Sequence, residues 1–257
     1  MAKKATRKVS TRKALAKARK GTAAKVESAP KRAKADTKAA AGATPPMSRA
    51  DIEEMFRRFQ AAEPEPKTEL KYVNPFTLLV AVVLSAQATD AGVNKATPAL
   101  FAAADTPEKM AALGEERVRE MVKTIGLFRT KAKNVVELSR RLVAEHSGQV
   151  PRSREALEAL PGVGRKTANV VLGNAFRIAS GIVVDTHVAR LSQRLGLTKH
   201  EQPEKIERDL LAITPQKDWI DLSHLLIAHG RALCKARNPH CQACPLEPIC
   251  PASLLRS

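Results

Sequence analysis

Four cysteines near the C-terminus form the clearest candidate metal-ligand set in this sequence. They are Cys234, Cys241, Cys244 and Cys250, separated by six, two and five residues. The N-terminus lacks the apolar stretch of a secretory signal, so clustered thiols here are better interpreted as metal ligands than as disulfides. The spacing alone leaves a zinc ion and an iron–sulfur cluster equally open.

A lysine and an aspartate nineteen residues apart form a second candidate set. Lys166 stands at the predicted start of a helix, and an uncharged amine there could attack a sugar carbon and form a Schiff base. Asp185 precedes another predicted helix, where its carboxylate could accept a proton or stabilise an oxocarbenium-like transition state. The alternatives are a solvated surface lysine and an aspartate that only caps its helix.

The segment 160–164, Leu-Pro-Gly-Val-Gly, lies between two short helical patterns and predicts a helical hairpin. Two glycines spaced by one residue allow a tight turn and close backbone approach. The unpaired N–H groups that begin the second helix could hold a DNA phosphate without reading a base. Gly162, Val163, Gly164 and Arg165 are therefore candidate DNA contacts, with an ordinary turn between helices as the alternative.

Helical patterns carry all these segments, so the predicted fold class is all-α. The patterns cover 48–60, 75–87, 90–104, 107–113, 115–125, 130–146, 153–160, 165–177, 186–195, 203–213 and 219–233. Ser48 with Asp51 resembles a capping box, and Gly126 and Gly148 are predicted helix stops. The only strand-like run is 182–184, and it has no evident partner.

Positive charge is concentrated at the N-terminus. The chain holds 44 Lys+Arg against 26 Asp+Glu, a net charge of +18 over 257 residues, and residues 1–46 contain 14 of the basic residues and only two acids. We expect this tail to be disordered, since it lacks an apolar stripe that burial could use. It could lie along nucleic acid phosphates, act only as a solubilising tail, or serve as an organelle transit peptide.

Length and hydropathy limit the remaining possibilities. A chain of 257 residues allows one large domain or two modest ones. The longest apolar run, 76–86, is interrupted by Thr77 and Ser85 and falls well short of the roughly 20 residues that a bilayer span needs. The sequence therefore excludes a membrane protein and favours the cytoplasm.

Several motifs together resemble the endonuclease III family of DNA base-excision glycosylases. The segment 160–172 is similar to the family's helix-hairpin-helix, and 184–187 resembles its catalytic aspartate segment. Segments 85–90 and 124–127 also resemble the family, and the cysteine spacing is similar to that of its iron–sulfur loop. The resemblance runs from about residue 50 to the end and leaves only the tail outside.

The resemblance implies a two-domain helix-hairpin-helix glycosylase fold. A six-helix domain over 68–178 would hold the hairpin. Residues 47–67 would join 179–257 in a discontinuous helical domain with a [4Fe-4S] cluster on the four cysteines. Lys166 would then come from the first domain and Asp185 from the second, with the active cleft between them.

The implied activity is removal of oxidised pyrimidines from duplex DNA, followed by apurinic/apyrimidinic (AP) lyase cleavage through a lysine Schiff base. Lys166 would be the nucleophile and Asp185 its partner. The resemblance also implies that Gln87 fills the space of a flipped base and that Leu127 wedges the duplex. The alternatives are a glutamine hydrogen-bonded to the backbone of its helix and a leucine in the core.

The implied partner is damaged double-stranded DNA, bound by a monomer at the bacterial nucleoid. Lys235 and Arg237, between the first two cysteines, would face phosphates, or else lie on a solvated loop. Adenine-specific relatives carry a further domain and lack the lysine, whereas only seven residues follow Cys250 here. The remaining rivals are a relative that acts on pyrimidine dimers or mismatched thymine, and a non-catalytic DNA-binding or redox-sensing protein.

Overall fold

The structure, a computed structural model, describes residues 46–255. The predicted disordered tail, 1–46, lies outside the described residues except for its last one. Within the described part of the chain, no helix is long and apolar enough to cross a membrane.

The described residues form ten α-helices and three short 3₁₀ turns, which confirms the all-α prediction. The helices are α1 (Arg49–Ala62), α2 (Pro75–Ser85), α3 (Asp90–Ala103), α4 (Pro107–Met121), α5 (Phe128–His146), α6 (Arg154–Glu158), α7 (Arg165–Phe176), α8 (Thr186–Arg194), α9 (Pro203–Ile213) and α10 (Trp219–Ala232). The 3₁₀ turns are Gln216–Asp218, Cys241–Ala243 and Glu247–Ile249. The strand-like run 182–184 is not a strand; its Val183 N–H donates to Ser223 Oγ at 3.0 Å.

Side-chain caps fix the helix starts. Ser48 Oγ accepts from the Asp51 N–H at 3.1 Å, but the hydroxyl also donates to the Asp51 carboxylate, so the predicted capping box is only half formed. The reciprocal box occurs at α2 instead, where Asn74 and Thr77 each accept from the other's backbone N–H. Each cap satisfies N–H groups that the helix itself leaves unpaired.

Several helix boundaries differ from the sequence pattern by up to four residues, most clearly those of α2 and α4. The pattern runs α2 to residue 87, whereas the helix ends at Ser85 and Gln87 takes a left-handed conformation with φ 55°. Gly114, with φ 77° and ψ 164°, interrupts α4 where the sequence predicts a gap between two helices. That second helix ends near Met121, four residues earlier than predicted.

Two separate apolar cores hold the helices. The first collects buried residues from Leu70 to Leu172, including most of α2 and the inner faces of α4 and α5. The second joins Met55 and Phe59 of α1 to buried residues between Ile182 and Leu246. Helix α1 therefore packs with the C-terminal helices despite more than a hundred intervening residues, because its apolar stripe is buried there.

Candidate active site

The helical hairpin is formed by α6 and α7. Val163 is buried in the first core, and its backbone N–H donates to the Leu160 carbonyl oxygen at 3.1 Å. Gly162 has φ 77°, and a Cβ at this position would lie 2.8 Å from the Asn134 amide nitrogen. No side chain caps the start of α7 at Gly164. Its first-turn N–H groups are therefore available to an anion.

Gly162→Ala is expected to lower the free energy of unfolding by about 1–2 kcal/mol, because alanine is strained at positive φ and Asn134 must shift. Gly164→Ala is the matched control, since its φ is −104° and nothing lies within 4 Å of the added Cβ. Urea unfolding of both variants measures the difference. Equal stability of the two would contradict the close approach at Gly162.

Lys166 and Asp185 line one cavity of about 220 Å³. Lys166 lies in the first turn of α7 and is exposed rather than partly buried. Asp185 caps α8, since its Oδ1 accepts from the N–H groups of His187 and Val188 at 2.8 and 2.9 Å. Its Oδ2 makes no hydrogen bond with the described residues. One carboxylate therefore can cap a helix and still present a free oxygen to the cavity.

Gln87 and Leu127 lie in neighbouring loops. A Cβ at Gly126 would be 3.9 Å from the Gln87 carbonyl oxygen. Both residues have positive φ, 55° and 59°, and both side chains are exposed, Leu127 to 59%. Left-handed backbone is costly for residues other than glycine and tends to occur at functional sites. Gln87 is thus beyond its helix and lines the cavity, and Leu127 is outside the core.

Arg231 adds a guanidinium to the wall of the cavity that Lys166 and Asp185 line. Its Nη1 lies 2.6 Å from Glu69 Oε1, and its Nη2 lies 2.7 Å from Asp90 Oδ2. These pairs join α10 to the start of α3 and to the segment before α2. The two carboxylates fix the guanidinium at the mouth of the cavity.

Arg165, a predicted phosphate contact, is paired within the protein. Its Nε donates to Glu207 Oε2 at 2.7 Å, and Glu207 is 4% exposed. This hydrogen bond raises the pKa of Arg165. The side chain is therefore already engaged before any phosphate approaches.

The four cysteines line a second cavity of about 390 Å³. Burial raises the pKa of the Cys244 thiol and raises that of Cys250 to about 11, and neighbouring thiolates act in the same direction. Among residues 46–255, no three His, Cys, Asp or Glu side chains are arranged to hold a single metal ion. The thiols thus share a cavity without meeting at one point.

Two arginines of α8 hold the loop that follows Cys234. Arg190 donates to the carbonyl oxygens of Gly230 and Cys234 at 2.9 and 3.0 Å. Arg194 donates to the backbone of residues 235 and 236 at 2.8 and 3.0 Å. The side chains of Lys235 and Arg237 are exposed and form no ion pair with a described residue. The loop is anchored through its backbone and leaves these two cations free.

This chain resembles known proteins over most of its length. A profile of the HhH-GPD superfamily base excision DNA repair proteins matches residues 80–216. Endonuclease III of Rickettsia conorii is 51% identical over 199 residues, 77% of this chain and 94% of its own length. The chain belongs to the endonuclease III family. Endonuclease III of Escherichia coli K12 is 48% identical over 79% of this chain and 96% of its own length.

Two solved structures have the same fold as this chain. A trapped endonuclease III–DNA covalent intermediate, an estranged-adenine complex, aligns with a TM-score of 0.76 and 42% identity, over 82% of this chain and 99% of that one. A thermostable thymine-DNA glycosylase aligns with a TM-score of 0.71 at 21% identity, over 79% and 97% of the two chains. This second likeness concerns the fold alone.

The sequence did not identify two polar groups at this endonuclease III family site. Arg231 pairs with Asp90, 141 residues away, and Glu207 pairs with Arg165, 42 residues away. Asp90 ends the motif 85–90, but nothing in its spacing indicates a partner on α10. The one sequence signal for Glu207 is its position on the buried face of α9, because a buried acidic residue is rarely left unpaired.

Proposed function

We propose that this chain is a bifunctional DNA glycosylase and AP lyase that removes oxidised pyrimidines from duplex DNA. The observation that carries the proposal is the single cavity lined by Lys166 and Asp185 in a chain of the endonuclease III family. The amine and the carboxylate are the two groups that Schiff-base chemistry at a sugar carbon requires.

The proposed reaction begins with the damaged nucleotide flipped out of the duplex. Lys166 Nζ bonds to the sugar C1′ as the bond from C1′ to the base breaks, and the base leaves with a proton. The proton on the departing base is the one that the nitrogen loses, and the proton that Asp185 accepted from the amine passes to O4′ as the C1′–O4′ bond breaks, which leaves a protonated Schiff base. Removal of a C2′ proton then expels the 3′ phosphate, and water releases the enzyme.

Asp185 would move protons in this sequence. Its Oδ1 is occupied by two backbone N–H groups, which fix the carboxylate, and its Oδ2 would accept the amine's proton. A fixed negative charge also stabilises the cationic character that develops on the sugar. The helix cap therefore supports the catalytic role by orienting the carboxylate.

Gln87 and Leu127 would act on the DNA stack. Their neighbouring, exposed, left-handed positions support a role in which Gln87 enters the space of the flipped base and Leu127 separates the base pairs. The backbone of 162–164, with Lys235 and Arg237, would hold phosphates, since no side chain caps the start of α7 at Gly164 and both cations are exposed.

We also propose that Cys234, Cys241, Cys244 and Cys250 hold a [4Fe-4S] cluster. Zinc needs its thiolates at about 2.3 Å from one point, whereas these thiols surround a cavity of about 390 Å³ without forming a single-ion site. A larger group with several iron atoms fits that arrangement better. Bound there, the cluster would serve as a structural clamp for the loop that carries Lys235 and Arg237.

The two apolar cores support a division into domains over 68–178 and over 47–67 with 179–257. The cavity with Lys166 and Asp185 draws on residues of both. We also propose that the protein acts as a monomer, since Lys166 and Asp185 already share one cavity without a residue from a second subunit. The bacterial relatives support action at a bacterial nucleoid.

Borohydride trapping tests the function. Protein incubated with duplex DNA containing thymine glycol and reduced with borohydride should give a covalent adduct, while undamaged duplex should give none. An adduct on abasic-site DNA alone would keep the lyase chemistry and reject the oxidised-pyrimidine substrate. No adduct on either would reject the lysine mechanism and favour a non-catalytic DNA-binding protein.

Asp185→Asn is expected to slow base release and strand cleavage by about 10²–10⁴-fold while the protein stays as stable as wild type. Asparagine caps a helix as well as aspartate does, but it cannot take the proton. Single-turnover cleavage and thermal unfolding measure the two effects separately. Asp185→Ala is the comparison, since it should also lose about 1 kcal/mol of cap stability. Full activity of Asp185→Asn would show that Asp185 caps its helix but does not transfer protons in the reaction.

A further inference from the structure

Glu207 is a buried carboxylate on α9 that the proposed chemistry does not use. It is 4% exposed, and both of its oxygens accept hydrogen bonds from α7. Oε2 accepts from Arg165 Nε at 2.7 Å, and Oε1 accepts from Asn169 Nδ2 at 3.2 Å. The two donors stand one turn apart, and Lys166 lies between them in the sequence. One carboxylate from α9 therefore binds both ends of the helical turn that carries the proposed nucleophile.

The same cluster extends to the segment that leads to Asp185. Asn169 Oδ1 accepts from Ser180 Oγ at 2.9 Å, and the Ser180 carbonyl accepts from Arg154 of α6 at 3.0 Å. A Cβ at Gly181 would overlap both the Glu207 carboxylate and the Asn169 amide. The backbone four residues before Asp185 thus packs directly on this cluster.

We propose that Glu207 is a positioning residue that fixes Lys166 relative to Asp185 across the cavity. The inference rests on the proposed lyase function. A carboxylate this deeply buried is tolerated only with its partners in place, so the pairing holds the two segments in one arrangement. Misplacing a reacting group by about 1 Å can cost about 10²-fold in rate.

A second consequence concerns Arg165. Its Nε is held by the buried Glu207 carboxylate at 2.7 Å, which fixes the guanidinium against α9 and leaves only its outer nitrogens toward solvent. We therefore assign Arg165 to the anchoring of α7 rather than to DNA contact. The two roles differ experimentally, because a lost phosphate contact lowers affinity and reduces the salt dependence of binding by about one ion.

The experiment measures single-turnover cleavage of abasic-site duplex at saturating protein, together with the Kd at several salt concentrations. Glu207→Gln should slow cleavage by about 10- to 100-fold with the Kd within about threefold of wild type and an unchanged salt slope. Leu210→Val is the matched control, since it lies on the same helix, is fully buried and makes only apolar contacts. Its rate should stay within about twofold of wild type at a similar loss of stability.

Arg165 variants complete the test and substitute for Glu207→Gln if that protein fails to fold. Arg165→Ala should reproduce the slow rate, Arg165→Lys should recover part of it, and Arg165→Ala with Glu207→Gln should be no slower than either alone. Wild-type rates for Glu207→Gln, or equal losses in Leu210→Val, would overturn the proposal. If Arg165→Ala cleaved at the normal rate but bound DNA with a reduced salt slope, Arg165 would be a phosphate contact and not an anchor of α7.

A measurement that does not depend on catalysis separates this inference from the proposed function. Hydrogen exchange of the amides in 168–170, the first that are hydrogen-bonded within α7, should be faster in Glu207→Gln than in Leu210→Val, relative to global stability. If wild-type protein gives no cleavage or adduct, the lyase proposal fails, and this exchange difference alone decides whether Glu207 anchors α7. Identical exchange in the two variants would refute the anchor.

Discussion

Lys166→Ala is expected to abolish the borohydride adduct and to slow strand cleavage at an abasic site by roughly four to six orders of magnitude. Removing a covalent nucleophile has a cost of this size, because the remaining groups cannot form the intermediate. Stability should change by less than about 0.5 kcal/mol, since the side chain is exposed and makes no hydrogen bond with a described residue. Reductive trapping, single-turnover cleavage and thermal unfolding on one preparation check all three expectations.

Two control variants separate nucleophilicity from charge. Lys166→Arg keeps the positive charge but replaces the amine with a guanidinium that stays protonated, so it should bind abasic DNA and give no adduct. Lys199→Ala removes an exposed lysine away from the hairpin and should trap normally. An adduct that persists in Lys166→Ala would show that another amine is the nucleophile, and the role assigned to this cavity would have to change.

The helices could be predicted because their signals are local. Apolar periodicity, the prolines at the starts of α2 and α4, and Gly114 within α4 each act over a few residues, and all lie where the sequence indicates. The end of α2 could not be predicted in this way. The sequence predicts a helix to residue 87, but the backbone turns at Gln87 into a left-handed conformation that no residue type there demands.

The site was only partly predictable for the same reason. Lys166 and Asp185 stand at helix starts that short motifs reveal, and the structure brings them to one cavity. The charge pairs Arg231–Asp90 and Arg165–Glu207 depend on how distant helices pack, which no spacing records. The sequence thus indicated the groups that could do chemistry, whereas the charge pairs around them required the fold.

Replacing Cys241 with serine is expected to remove bound iron and to lower the unfolding temperature by at least about 5–10 °C. For a chain of this size, 1 kcal/mol corresponds to roughly 2–4 °C, and a structural metal site contributes several kcal/mol to folding. The loss of stability should fall on the second core, because Leu191, Leu195 and Leu246 of that core line the cavity of the four thiols. Without the bound group, those side chains border an unfilled space.

The measurements for this variant are iron content, visible absorption, thermal unfolding and the salt dependence of DNA binding. Gln242→Ala is the matched control, since it changes an exposed neighbour in the same 3₁₀ turn and leaves the thiols intact. It should keep its iron, its stability and its DNA affinity. Cys241→Ser should also bind DNA more weakly, because the loop that carries Lys235 and Arg237 loses its clamp.

The protonation of the buried thiols explains why iron uptake should depend on pH. Burial raises the pKa of Cys250 to about 11, so without a bound cation this thiol is protonated at neutral pH, and loading must displace its proton. Iron uptake should therefore weaken as the pH falls. A Cys241→Ser protein that lacks iron yet unfolds at the wild-type temperature would contradict the structural clamp, and the remaining explanation for four thiols around one cavity would be a redox role.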